Sequence, residues 1–216
     1  MRRTWYRALG LPALEWLADS GGILVEQKLI LASGSRYRAE LLGRLRLPFE
    51  AWSPDIDESA LPGETPARTA ARLARLKAEA GAQLHPGAWV IGSDQVADRA
   101  GRAVNKPGSI EGARRQLREL RGQHVLFHTA VCVLGASGRR QERLVTTDVV
   151  FRPFSDAEID RYLDLEPAHD CAGSAKSEGL GISLLSRLGG DDPTALVGLP
   201  LIALSHMLRL EGFSIP

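Results

Sequence analysis

The chain has 216 residues, 44% hydrophobic and 25% charged, enough for one sizeable core or two small lobes around one cleft; this excludes collagen, coiled coil and wholesale disorder. Its 27 basic and 26 acidic residues give a net charge of +1, so no global field draws it to nucleic acid or anionic lipid, and any anionic ligand must be held by a local cluster. No apolar run approaches the ~18 residues needed to span a bilayer. Cys132 and Cys171 are too few for a disulfide framework and lack zinc spacing, so a reducing, cytoplasmic setting is expected.

Residues 1–27 begin basic, but Pro12, Glu15 and Asp19 interrupt the apolar core that a signal peptide needs. They read as a poorly ordered extension ahead of a domain spanning 28–216. Lys28–Ala32 is a short apolar run, expected as a buried strand. The small loop Ser33-Gly34-Ser35 follows, then a helix with Leu41, Leu42 and Leu45 on one face. Phe49–Trp52 reads as a second strand and Asp55–Ser59 as an acidic loop. Thr65-Pro66 is a helix start, since Thr caps and Pro suits the first turn. The helix from Ala67 to about Gln83 is expected to bury Ala70, Leu73, Ala74 and Leu76, with Lys77 at the edge of that face.

Trp89–Asp94 reads as a strand ending on a carboxylate. Asn105–Gly108 is a turn, and Ser109 caps a helix through Leu120. His124–Leu134 and Leu144–Phe151 are β-rich runs joined by a hairpin at Gly135–Arg139. Ser155 and Glu158 form a capping box ahead of Ile159, Tyr162 and Leu163. Small residues dominate Cys171–Gly179, and Leu199–Leu210 is the closing helix. Early alternation of strand and helix around a central hairpin predicts a mixed α/β fold, with two lobes sharing a long twisted sheet and a cleft where loops collect at strand ends.

Three constellations suggest phosphate chemistry. Ser33–Arg38 lies between strand and helix, where small residues admit an anion to helix-start N–H groups and two arginines add charge. Asp94 can bind a divalent cation or orient a water. Asp55, Asp57 and Glu58 together with Lys77, Lys106 and Lys176 supply the carboxylates and ammonium groups that phosphoryl or nucleotidyl transfer needs. Each alone also fits an ordinary turn or a solvated charge. His124 and His128 share a strand face but lack a third ligand at metal spacing.

The ordered run L-I-L-A-S-G-S, D-x-D-E, R-L-A-x-x-K-A, I-G-S-D-Q-V, N-K-P, C-A-G-S-x-K-S-E-G and T-A-L-V-G-L-P-L closely resembles the Maf family of nucleoside triphosphate pyrophosphatases, from about Lys28 to Gly212. S-D-Q-V and S-x-K-S-E-G are similar to its 7-methyl-GTP branch. The resemblance implies an inosine-triphosphate-pyrophosphatase-like α/β fold and hydrolysis of a nucleoside triphosphate to monophosphate and diphosphate with Mg²⁺ or Mn²⁺. It implies Asp94 as proton acceptor, and Ser33, Ser35, Arg38, Lys77 and Lys106 on the triphosphate. Glu58 then joins Asp94 at the metal, and Tyr37, Gln95 and a buried Glu178 set base specificity. It implies a nucleotide as partner, no nucleic acid, no membrane, and a homodimer as one assembly open to the chain. Two alternatives stay open: the dTTP/UTP-hydrolysing sibling, and a nucleotide-binding cell-division regulator with little catalysis. Two departures stand out. Arg36 replaces the usual proline, and Tyr37 replaces a common tryptophan.

Overall fold

The computed structural model describes residues 27–216, so the expected extension lies outside the described residues. β1 (Leu29–Ala32) leads through Ser33–Ser35 into α1 (Arg36–Gly43), capped by the Ser35 hydroxyl, which accepts from the Arg38 N–H. β2 (Glu50–Trp52) precedes the acidic loop, and α2 (Pro66–Leu84) starts under a Thr65 cap with proline in its first turn. β3 (Trp89–Arg99) turns into β4 (Arg102–Val104), and Ser109 caps α3 (Ile110–Leu120). β5 (His124–Leu134) and β6 (Arg140–Phe151) form the long hairpin. The Ser155–Glu158 capping box opens α4 (Asp156–Leu165). β7 (Leu185–Gly189) and α5 (Leu201–Leu210) complete the chain.

The strands form one mixed sheet in the order β2-β1-β3-β5-β6-β7, with β4 paired to the end of β3. β1 runs parallel to β2 and β3, whereas the β3-β5-β6-β7 pairs are antiparallel. Side chains alternate across this sheet. One face of β1, β3 and β5 buries Ile30, Ala32, Val90, Ala130 and Cys132 against Ala70, Ala74 and Ala78 of α2. The other buries Leu29, Leu31, Ile91 and Val131 against Leu41 and Leu42 of α1 and Leu204 and Leu208 of α5. Further along the long strands, Phe127 and Phe151 pack with Leu117 of α3 and Ile159 and Leu163 of α4 in a separate core. The expected two lobes are the paired clusters on the two faces at one end of the sheet and this separate core at the other, joined by β3 and β5.

Four expectations are corrected. β3 does not end on Asp94; it continues to Arg99, because β5 pairs with it from Val90 to Asp98. On α2, Lys77 is buried and Leu76 only half-buried, the reverse of the expected face. β6 starts at Arg140, four residues before Leu144, in register with the apolar end of β5. The short strands β4 and β7 were not anticipated. Among the described residues, no helix is long and apolar enough to cross a membrane.

Candidate active site

β1 pairs with β3 only as far as Gly92, and β4 begins pairing at Ala97. Ser93–Val96 therefore have no strand on that side, and a cleft of about 860 Å³ opens in the gap. The Ser33–Arg38 loop and helix start close one wall, α2 and the acidic loop another, and Lys106 stands at the rim.

α2 lies almost on the sheet floor. A Cβ on Gly92 would sit 2.1 Å from the Ala74 carbonyl oxygen, so only glycine permits this approach. The approach drives Lys77 inward. Its Nζ lies 2.6 Å from Asp94 Oδ1 and 2.6 Å from Glu58 Oε1. Lys77 and Asp94 are both buried (5% and 7% exposed), so the ammonium is held inside by its two carboxylates. Burial pushes the Glu58 carboxyl up, but the Lys77 hydrogen bond and charge, with Lys106 and Arg38, outweigh it and hold the group below the usual range.

Ser33 Oγ accepts from the Ser35 N–H at 3.2 Å and from Arg38 Nη1 at 3.3 Å, and Ser35 Oγ accepts from the Arg38 N–H. Both hydroxyls thus accept within the loop and keep their own O–H for a ligand. Arg38 Nε donates to the Gly198 carbonyl at 2.8 Å. Burial lowers the Arg38 pKa, with Asp94 and Glu58 pulling the other way. Lys77, Lys106 and Arg38 outnumber Asp94 and Glu58 by one charge. An α1 start, with its free N–H groups, faces the same space.

At the far end, Tyr37 and Gln95 are shared with a small side pocket that Glu178 also lines. Gln95 projects from the opposite face of β3 to Asp94. Its amide nitrogen lies 2.9 Å from Thr129 Oγ1, 2.9 Å from the Ala195 carbonyl and 3.0 Å from that of Leu196. That nitrogen is spent on the fold, and only the Gln95 carbonyl remains for a ligand. Glu178 is exposed, not buried as expected, because the Ser177–Gly179 turn leaves its side chain at the pocket mouth. Lys176 pairs with Asp170 at 3.1 Å.

All the expected site residues meet here: Ser33, Ser35, Tyr37, Arg38, Glu58, Lys77, Asp94, Gln95 and Lys106 line the cleft, and Glu178 the side pocket. Sequence reasoning missed Asp170, which accepts from the Tyr37 hydroxyl at 3.1 Å. It also missed the clamp on the acidic loop, in which Arg72 grips both oxygens of Glu64 at 2.8 Å and the Ser59 carbonyl at 2.8 Å. The Glu64/Arg72 spacing, eight residues across a helix start, was the only available signal. Among the described residues, no three His, Cys, Asp or Glu side chains converge as a ready metal cage. The donor set is instead two carboxylates, Asp94 and Glu58, each with one oxygen on Lys77. This suits a hard cation that completes its shell with water and other oxygen ligands.

The family model described as Maf-like protein matches residues 28–211. A Xanthomonas campestris pv. campestris (strain 8004) protein named 7-methyl-GTP pyrophosphatase is 57% identical over 189 residues, covering 88% of this chain and 98% of that one. A Cupriavidus metallidurans protein of the same name is 59% identical over 186 residues, covering 86% and 94%. One from Aromatoleum aromaticum is 58% identical over 190 residues, covering 88% and 98%.

Proposed function

The chain belongs to the Maf-like protein family, and from that membership we propose that it hydrolyses 7-methyl-GTP to 7-methyl-GMP and diphosphate. The observation that carries the reaction class is the Lys77-bridged Asp94–Glu58 pair inside a cation-rich cleft. The choice of base rests on the relatives' names.

The triphosphate lies along the Ser33–Arg38 loop, where helix-start N–H groups, two serine hydroxyls and Arg38 meet its oxygens. Asp94 takes the proton of the water that attacks the α-phosphorus. Lys77 fixes one Asp94 oxygen and leaves the other for this water. Lys77 and Lys106 stabilise the negative charge gathering on the departing diphosphate. Asp94 and Glu58 hold Mg²⁺ or Mn²⁺, which when bound neutralises phosphate charge. Tyr37 offers an aromatic face to the N7-methylated, positively charged base, a contact worth on the order of 0.5–2 kcal/mol. Glu178 accepts from the guanine N1–H and 2-amino group, a donor pair that pyrimidines lack.

The test compares kcat/KM for 7-methyl-GTP, GTP, UTP and dTTP in the wild type and in Glu178→Gln. Leading turnover of 7-methyl-GTP, with a smaller lead in the variant, supports the reading. A lead for UTP or dTTP overturns the substrate, and no diphosphate release from any nucleotide overturns the enzyme.

A further inference from the structure

The Tyr37 ring already keeps company with cations. The Arg36 guanidinium carbon lies 4.7 Å from the ring centroid and the Lys176 ammonium 5.9 Å from it. A positively charged base approaching the same ring meets both. Arg36 is two-thirds exposed and can swing into water. Lys176 cannot: its side chain is 13% exposed and its Nζ donates to the Pro167 carbonyl at 2.9 Å. Its charge is therefore a standing repulsion toward a cationic ligand unless something cancels it.

Asp170 cancels it. One carboxylate oxygen lies 3.1 Å from Lys176 Nζ, and the other accepts from the Tyr37 hydroxyl at 3.1 Å and lies 3.7 Å from Arg36. Among the described residues, no other carboxylate makes an ion pair with Arg36 or Lys176. The same contact ties the start of α1 to the loop before Cys171 and fixes the edge of the ring. Burial raises the Asp170 pKa, but the adjacent Lys176 ammonium and the Tyr37 hydrogen bond outweigh it and hold the carboxyl below its ordinary value, so the group stays ionised at neutral pH.

We propose that Asp170 is a specificity-determining positioning residue: it holds the Tyr37 ring and neutralises the Lys176 and Arg36 charges beside it, so that the base pocket accepts a cationic purine. This rests on the reading that a purine base stacks against Tyr37. Asp170 acts through its neighbours.

The test is calorimetric binding of 7-methyl-GMP and GMP to the full chain at mildly acidic pH, which needs no turnover. Asp170→Asn keeps an acceptor for the Tyr37 hydroxyl but deletes the charge. It should weaken 7-methyl-GMP relative to GMP by roughly three- to tenfold, the scale for one charge at a partly exposed site. Lys176→Met should move the ratio the opposite way, and Asp170→Glu should restore it. Structural damage would weaken both nucleotides alike and leave the ratio unmoved. An unchanged ratio in Asp170→Asn, or shifts of the same sign in Asp170→Asn and Lys176→Met, overturns the proposal. A wild type that binds GMP as tightly as 7-methyl-GMP counts against the substrate reading alone, because the opposed shifts remain readable. Failure to bind either nucleotide overturns both.

Discussion

Replacing Lys77 by Met removes the ammonium from between two carboxylates and leaves its apolar stem in place. Asp94 is then a buried carboxylate without its partner, 7% exposed on the floor of the sheet. Breaking a buried pair in this way costs about 3–5 kcal/mol. The lower end applies, because Arg38 stays near and the cleft admits water to one side of Asp94. About 3 kcal/mol corresponds to a fall in Tm of roughly 6–12 °C at this chain length. Asp94→Asn is milder, since Lys77 keeps Glu58 at 2.6 Å, and should cost about 1 kcal/mol. In the double variant no buried charge is stranded, so its loss should fall short of the sum of the singles by about 2 kcal/mol. Urea unfolding of the four proteins measures this directly. Additivity within about 0.5 kcal/mol would show that Lys77 and Asp94 do not depend on each other. Turnover should be low in all three variants, since residues acting as one unit do not contribute separately.

Gly92→Ala places a Cβ against the α2 backbone, 2.1 Å from the Ala74 oxygen and 2.6 Å from the Ala78 nitrogen, with no flexible side chain to yield. It should cost on the order of 3 kcal/mol and move Lys77 away from Asp94; unfolding within 0.5 kcal/mol of wild type would contradict that packing. The Arg72 hydrogen bond, followed by the Leu61 N–H, holds the Glu64 carboxyl at about 2, below its ordinary value of 4.5. This lowered value adds stability that is full above about 4.5 and is lost as pH falls toward 2. The Tm difference between pH 6 and pH 3 should therefore shrink in Glu64→Gln, and an equal difference would remove the clamp from acid stability. Burial pushes both thiols, Cys132 and Cys171, up to about 12. Iodoacetamide at pH 8 should leave native activity intact and label both only after unfolding, whereas rapid inactivation would show a reactive Cys171 in the cleft.

Much of the fold was legible because caps and apolar periods agree with the tertiary structure. The Thr65-Pro66 start, the Ser109 cap and the Ser155–Glu158 box all stand where their local chemistry placed them. Misreadings gather at the cleft. Ser93-Asp94-Gln95 interrupts an apolar run and so resembles a strand end; only the nine-residue pairing with β5 reveals a strand carrying polar groups through a gap in the sheet. Lys77 follows Leu76 on an amphipathic helix, and hydrophobicity alone puts the leucine inside. The partner that makes a buried lysine stable comes from another element, 17 residues on. β4 and β7 are short and exposed, with too few apolar residues to show a period. Asp170 precedes the small-residue run without any local pattern, and its contacts reach back to Tyr37, 133 positions away. Glu178 lines the side pocket, but its exposure depends on turn geometry that spacing does not encode.

The most direct test of the central claim is hydrolysis of 7-methyl-GTP in ¹⁸O-labelled water, with mass analysis of both products. The proposed attack on the α-phosphorus by water that Asp94 activates requires the label to appear in 7-methyl-GMP, with unlabelled diphosphate released. The signal should be lost in Asp94→Asn. Label in the diphosphate, or release of 7-methyl-GDP with single phosphate, would contradict the account.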